Sequence, residues 1–188
     1  MNKLLIFLLL LILPTSVLSA STELWIIDKS KSSITFSIKV LFGKDVKGEF
    51  KNFEGYIKID ANNSIEHKAI VDVYTDSIIT NYKKYNLLLK GPLFFDTDKH
   101  TKAILLTEKF IINTDNSARA QFILNIKDNI KMIDIPFNYK LENEDIAFVD
   151  GKFSFNRSDF NLGTGVWSST LILKNKVNME IDLVLKKQ

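Results

Sequence analysis

The closing stretch of the chain alternates without a slip. Val177, Met179, Ile181, Leu183 and Leu185 point one way, and Asn178, Glu180, Asp182, Val184 and Lys186 the other. A period of two sustained this long selects an extended strand with one apolar and one wet face and rules out a helix. The same alternation recurs at Ile34, Phe36, Ile38 and Val40, and at Phe122, Leu124 and Ile126. It also runs through Ile133, Ile135, Phe137, Tyr139 and Leu141. Polar turn clusters at residues 43–45, 60–64, 113–117, 127–129, 142–145 and 174–175 separate these runs. About eight antiparallel strands with short turns and no linker predict a single all-β domain, either a sandwich or a closed barrel. Only residues 80–89 read as a helix, a short one that Gly91 and Pro92 end. Gly48 and Gly55 flank Phe50 and Phe53, whose spacing of three breaks the alternation and predicts a bulge or bend there.

The first 19 residues stand apart from this pattern. Lys3, the apolar run from Leu4 to Leu13, Pro14 and the small-residue stretch SVLSA read as a secretory signal peptide, leaving residues 20–188 as one folded domain. The run is shorter than the roughly 20 apolar residues that span a bilayer. Export of this kind fits a bacterial periplasm. The chain has no cysteine, which excludes disulfides, thiolate catalysis, cysteine metal sites and lipid attachment at a cysteine, so the fold rests on its apolar core. The net charge is +3, with basic and acidic residues interspersed, a balance that excludes a nucleic-acid binder. Clean alternation also suits an outer-membrane barrel. Full charges in mid-strand, the ending LVLKKQ and the lack of long loops argue for the apolar rows facing inward.

Several ordered motifs carry a family resemblance. Trp25, Ile26, Ile27 and Asp28 followed by Ser32, Ile34 and Phe36, then GEFKNFEGYIKID, resemble the opening of the YceI-like proteins. SIITN at residues 77–81, Phe94-Phe95-Asp96, and FSFNRSDFNLG with Arg157, Asp159, Phe160, Leu162 and Gly163 resemble the rest of their pattern in order. The resemblance implies a lipocalin-like antiparallel β-barrel of eight or so strands, with the short helix near its mouth. It also implies a periplasmic carrier that holds a polyisoprenoid, an isoprenoid quinone or a similar long-chain amphiphile in the lumen. The chain departs from the family pattern at polar places: Asn86, Leu88 and Leu89 stand where the family helix carries D-x-H-L. Lys31 replaces a histidine, and His100-Thr101 replaces Tyr-Pro.

On this reading the lining falls to Phe36, Ile38, Phe50, Phe53, Leu88, Phe94, Phe95, Phe122, Leu124, Phe155 and Phe160. The segment NLLLKGPLFF borders the lumen entrance, through Leu87, Leu88, Leu89, Leu93, Phe94 and Phe95, or else plugs the barrel end. Arg157, in phase with Phe153 and Phe155 and two residues from Asp159, is the headgroup candidate; the alternative is an exposed ion pair. His67 and His100 lack metal-ligand spacing and read as surface residues. No nucleophile or paired-carboxylate signature points to an enzyme. Expected partners are a long-chain isoprenoid or fatty lipid, with transient membrane contact, in a monomer or homodimer; no cofactor is expected beyond the lipid itself. Two rivals are a side-chain-filled barrel acting as an interaction module, and a lipid-modifying enzyme, for which His100 would be the titratable group.

Overall fold

The computed structural model describes residues 22–41, 45–60, 67–108, 110–113 and 115–188; the leader expected at residues 1–19 lies outside them. Twelve strands form one antiparallel sheet, and the pairing of the first with the last closes it. The strands are β1 (Thr22–Ile27), β2 (Ser33–Val40), β3 (Asp45–Phe50), β4 (Phe53–Asp60), β5 (Lys68–Tyr74) and β6 (Ile78–Thr80). After helix α1 (Lys83–Lys90) come β7 (Lys102–Thr107), β8 (Phe110–Ile112), β9 (Ser117–Ile126), β10 (Asn129–Leu141), β11 (Ile146–Asn156) and β12 (Leu173–Lys187).

Eight staves account for all twelve strands, because four staves are broken. β1 and β2 both pair with β12, β3 and β4 run back along them, and β5 and β6 follow. β7 and β8 both pair with β9. The result is an up-and-down barrel in which each stave neighbours the next in sequence, the lipocalin-like architecture expected. Among the described residues, its mouth carries 41, 81–101, 127–128 and 157–172; Thr22, Gln188 and the turns at 115–116 and 142–145 lie at the far end.

Side chains make the breaks. At the first, Asp28 Oδ1 accepts from Ser30 N–H and caps a 3₁₀ turn over Lys29–Lys31. Ser32 Oγ then accepts from Val184 N–H at 2.9 Å, standing in for a ladder bond where the stave bends. The second break is the bend expected near Gly48 and Gly55, and falls at Lys51 and Asn52. It is tied to the third, Thr75–Ser77: Tyr74 N–H donates to Asn52 O, and Ser77 Oγ to Tyr74 O. Gly48 pairs with Phe36 and Thr80, where a Cβ would run into the Phe36 ring and the Ile79 carbonyl. Glycine is needed here for close approach of chain to chain.

The inward rows behave as their alternation predicts, except that Leu141, the last residue of β10, is exposed. Ile34, Leu124, Ile126, Ile135, Val177, Leu183 and Leu185 are buried. The far end is packed solid by Ala69, Phe110, Ala120, Phe122 and Ile135. His67, expected at the surface, is buried there: its ring lies 5.0 Å from Phe110, and its Nδ1 accepts from Asp60 N–H. Residues 174–175, expected as a turn, lie inside β12, where the register with β2 shifts between Leu173 and Val177. The polar pair marks a bulge, and Asn175 Oδ1 accepts from Ser158 N–H.

Candidate functional site

The packing that fills the far end gives way toward the mouth to an apolar cavity of about 140 Å³. Its wall comes from the inward faces of β2, β3, β5, β6, β7, β9, β11 and β12, and its roof from α1, the Phe94-Phe95 turn and the loop before β12. Of the residues expected to line a lumen, Phe36, Ile38, Phe50, Leu88, Phe94, Phe95, Leu124, Phe155 and Arg157 border this cavity. Three do not. Phe53 is packed in the main core at a stave break, and Phe122 belongs to the solid far-end cluster. Phe160, fully buried, stands edge-on to Phe155 at 5.2 Å behind the wall.

The roof divides the greasy segment into two faces. α1 begins at Lys83, later than residue 80, because Thr80 is held in β6 opposite Gly48. Asn86 reaches back over this corner, its Oδ1 accepting from Thr80 N–H and Thr80 Oγ1, both at 2.9 Å. Leu88 and Leu89 turn inward onto the cavity. Leu87 and Leu93 turn outward, contrary to the sequence expectation, with 81% of Leu87 exposed. Gly91 N–H closes the helix on the Leu87 and Leu88 carbonyls. The turn that follows buries Phe94 and Phe95, with Phe95 edge-on to Phe50 at 5.8 Å.

Arg157 is not an exposed ion pair, and its donors are taken up within the protein. It lies in a 3₁₀ turn, Arg157–Phe160, 3% exposed, while Asp159 is exposed. Its Nε donates to Lys174 O, one terminal nitrogen to Leu162 O at 2.8 Å and Gly163 O at 3.0 Å, and the other to Leu173 O at 2.9 Å and Ser168 O at 3.4 Å. A guanidinium has five N–H donors, and all five are directed at carbonyls, so none is left for an anion. Burial holds its pKa below the ordinary value. The side chain ties residues 162–174 into a flap over the cavity, and Gly163, at φ 80°, lets the chain pass against it.

Trp167, in that flap, lines the cavity and packs on Phe94 at 5.9 Å. It and Tyr85 were not singled out from the sequence: both sit in irregular or short segments where no periodicity assigns a face. His100 is half-buried away from the cavity, with Nδ1 3.3 Å from Asp128. No group of three metal-ligating side chains occurs among the described residues. The cavity wall is apolar, with Tyr85 and Arg157 the only titratable groups on it among the described residues.

A closed antiparallel barrel with an apolar lumen under a helical roof is the class of protein this fold and site define. The chain belongs to the YceI-like family, whose domain model matches residues 25–185. Among curated relatives, a UPF0312 protein of Pseudomonas savastanoi pv. phaseolicola is 27% identical over 174 residues, covering 87% of this chain and 91% of the relative. A UPF0312 protein of Staphylococcus aureus is 29% identical over 111 residues, 59% of this chain; the chain spans only 63% of that relative's length. The crystal structure of Burkholderia cenocepacia BcnA matches with a TM-score of 0.77 at 25% identity, covering 84% of this chain and 98% of that one. A polyisoprenoid binding domain from Saccharophagus degradans, implicated in plant cell wall breakdown, shares the fold at a TM-score of 0.71 and 13% identity, covering 87% and 98% of the two chains.

Proposed function

We propose that this protein is an exported carrier or reservoir that takes the apolar chain of a polyisoprenoid, or of a similar amphiphile, into the upper lumen. The observation that carries this reading is the cavity itself, enclosed by Phe36, Ile38, Leu88, Phe95, Leu124 and Phe155 beneath a roof of one short helix and a flap. Each methylene moved there from water contributes about 0.8 kcal/mol, so a tail can be held without a hydrogen bond. The Saccharophagus relative's polyisoprenoid binding supports the ligand class. The leader's composition supports export to a periplasm.

Size sets the mechanism. A cavity of 140 Å³ compares with an engineered cavity of about 150 Å³ that binds benzene, and ligand pockets usually exceed roughly 300 Å³. A long chain enters only as Leu88, Phe94 and Trp167 swing aside. The saturated Arg157 leaves headgroup recognition to the rim. Binding, rather than catalysis, is what such a wall supports.

The small volume favours one rival, a side-chain-filled barrel serving as an interaction module. Native mass spectrometry of the processed protein, purified without detergent and followed by organic extraction, separates the two. A stoichiometric prenyl or fatty lipid is expected. A bare protein that takes up neither on incubation overturns the carrier reading. Fractionation of the expressing cell tests the compartment, with the processed chain expected in the periplasmic fraction.

A further inference from the structure

The mouth of the barrel is greasy on its outside as well as within. Leu87, Val166 and Leu171 are 81%, 76% and 74% exposed, with Leu41, Leu93 and Ile172 also open to solvent. All six belong to the mouth, and backbone bonds join their segments: Leu41 N–H donates to Ile172 O, and Gly163 N–H and Thr164 N–H donate to Leu93 O. Singly exposed leucines are ordinary; a set gathered on one end by three separate connections is a surface.

Charge says what that surface meets. Among the described residues, the mouth connections at 41, 81–101, 127–128 and 157–172 hold six basic side chains, the buried Arg157 among them, and four acidic ones. Among the described residues, the far-end turns at 115–116 and 142–145 hold four acidic side chains and none basic, with Lys186 and Lys187 beside them at the end of β12. Residues 77–95, which include α1, carry Lys83, Lys84 and Lys90 without a single acid, and residues 160–176 carry Lys174 and Lys176 likewise. Lys127 reaches across the rim, its Nζ donating to Pro92 O and Asn161 O. Exposed leucine and valine tips fringed by lysine match a surface that is apolar below and negatively charged above.

We infer that the barrel docks mouth-down on an anionic lipid bilayer, with Leu87 of α1 and Val166 and Leu171 of the flap entering the headgroup boundary and the lysines meeting lipid phosphates. The inference stands on the outer surface and does not rest on the lumen holding a ligand. It would place the roof of the cavity against the lipid phase, so that a chain could pass between them without crossing water.

Flotation of the processed protein, residues 20–188, with phosphatidylglycerol-rich vesicles tests it, with phosphatidylcholine vesicles alongside. Binding is expected to the anionic vesicles only, weakening as salt screens the lysines. A triple variant Leu87→Ser, Val166→Ser, Leu171→Ser is expected to lose roughly tenfold or more in binding, because affinity scales with buried apolar area. The variant Leu141→Ser, at the far end, should bind as the parent does. All three mouth side chains are largely exposed, so an unchanged melting temperature shows that the triple variant is folded. No flotation at low salt, or flotation indifferent to the triple variant, overturns the inference. So does a parent dimer that the triple variant converts to monomer while vesicle binding is absent, which would make the mouth a self-interface. Uptake of a prenyl alcohol delivered from ethanol, compared between parent and triple variant, reports on the lumen separately and should be the same in both.

Discussion

Arg157 shows how one side chain can be drawn toward function by its sequence and assigned to structure by its surroundings. Its charge is buried without a carboxylate, compensated by carbonyl dipoles from residues 162–163, 168 and 173–174. Arg157→Ala leaves several of those carbonyls unpaired, and urea denaturation should show a loss of about 3 kcal/mol. Arg157→Lys keeps the charge but has three donors in place of a fork of five, so it should recover only part of the loss. Asp28 offers a pH signature. Its ion pair with Lys186, with Nζ 2.8 Å from Oδ2, and the Ser30 bonds lower its carboxyl pKa from 3.8 to about 2. The folded value lies below the unfolded one, so its stabilisation is present above pH 3.8 and is lost as the pH falls through 2. Melting curves of the parent and Asp28→Asn should differ at pH 7 and converge toward pH 2.

At the scale of elements, the breaks in the staves set where the barrel turns its corners, and glycines decide two contrasting cases. Gly48→Ala forces a methyl group against the Phe36 ring and the Ile79 carbonyl, and should cost about 1–3 kcal/mol by denaturant titration. Gly91→Ala meets only ordinary contacts at a φ of −74°, and should be neutral or slightly stabilising. The strands were legible because alternation is a local property of a half-buried surface. The bend between Phe50 and Phe53 was legible because it breaks that alternation. The start of α1 was not, since Thr80 could join the helix or the sheet, and the pairing with Gly48 takes it for the sheet. Nor was the Lys174-Asn175 bulge, whose polar residues read locally as a turn while β12 continues through them.

For the molecule as a whole, the lumen is filled at one end and slack at the other, and that asymmetry carries the functional reading. Leu88→Ala should enlarge the cavity under α1, lower the stability of the ligand-free protein by about 2 kcal/mol, and tighten uptake of a prenyl alcohol. Calorimetry of both forms with and without the alcohol checks this. Ligand at a hundred times its Kd stabilises a folded state by about 2.7 kcal/mol, so the variant's melting temperature should rise more on ligand addition than the parent's. If neither protein responds, the slack is a packing defect and the barrel is a scaffold.

By itself the sequence determined the all-β class, the inward rows, the bend near Gly48 and the greasy character of the segment after Asn86. It did so because side-chain period, glycine content and apolar clustering are read along the chain. Only the tertiary structure decided that Phe122 packs a solid floor while Phe155 borders a cavity, that Leu88 faces in while Leu87 faces out, and that the donors of Arg157 are taken. Those outcomes depend on which stave, turn or carbonyl lies opposite, and closing the barrel brings together residues as distant as Trp25 and Lys187.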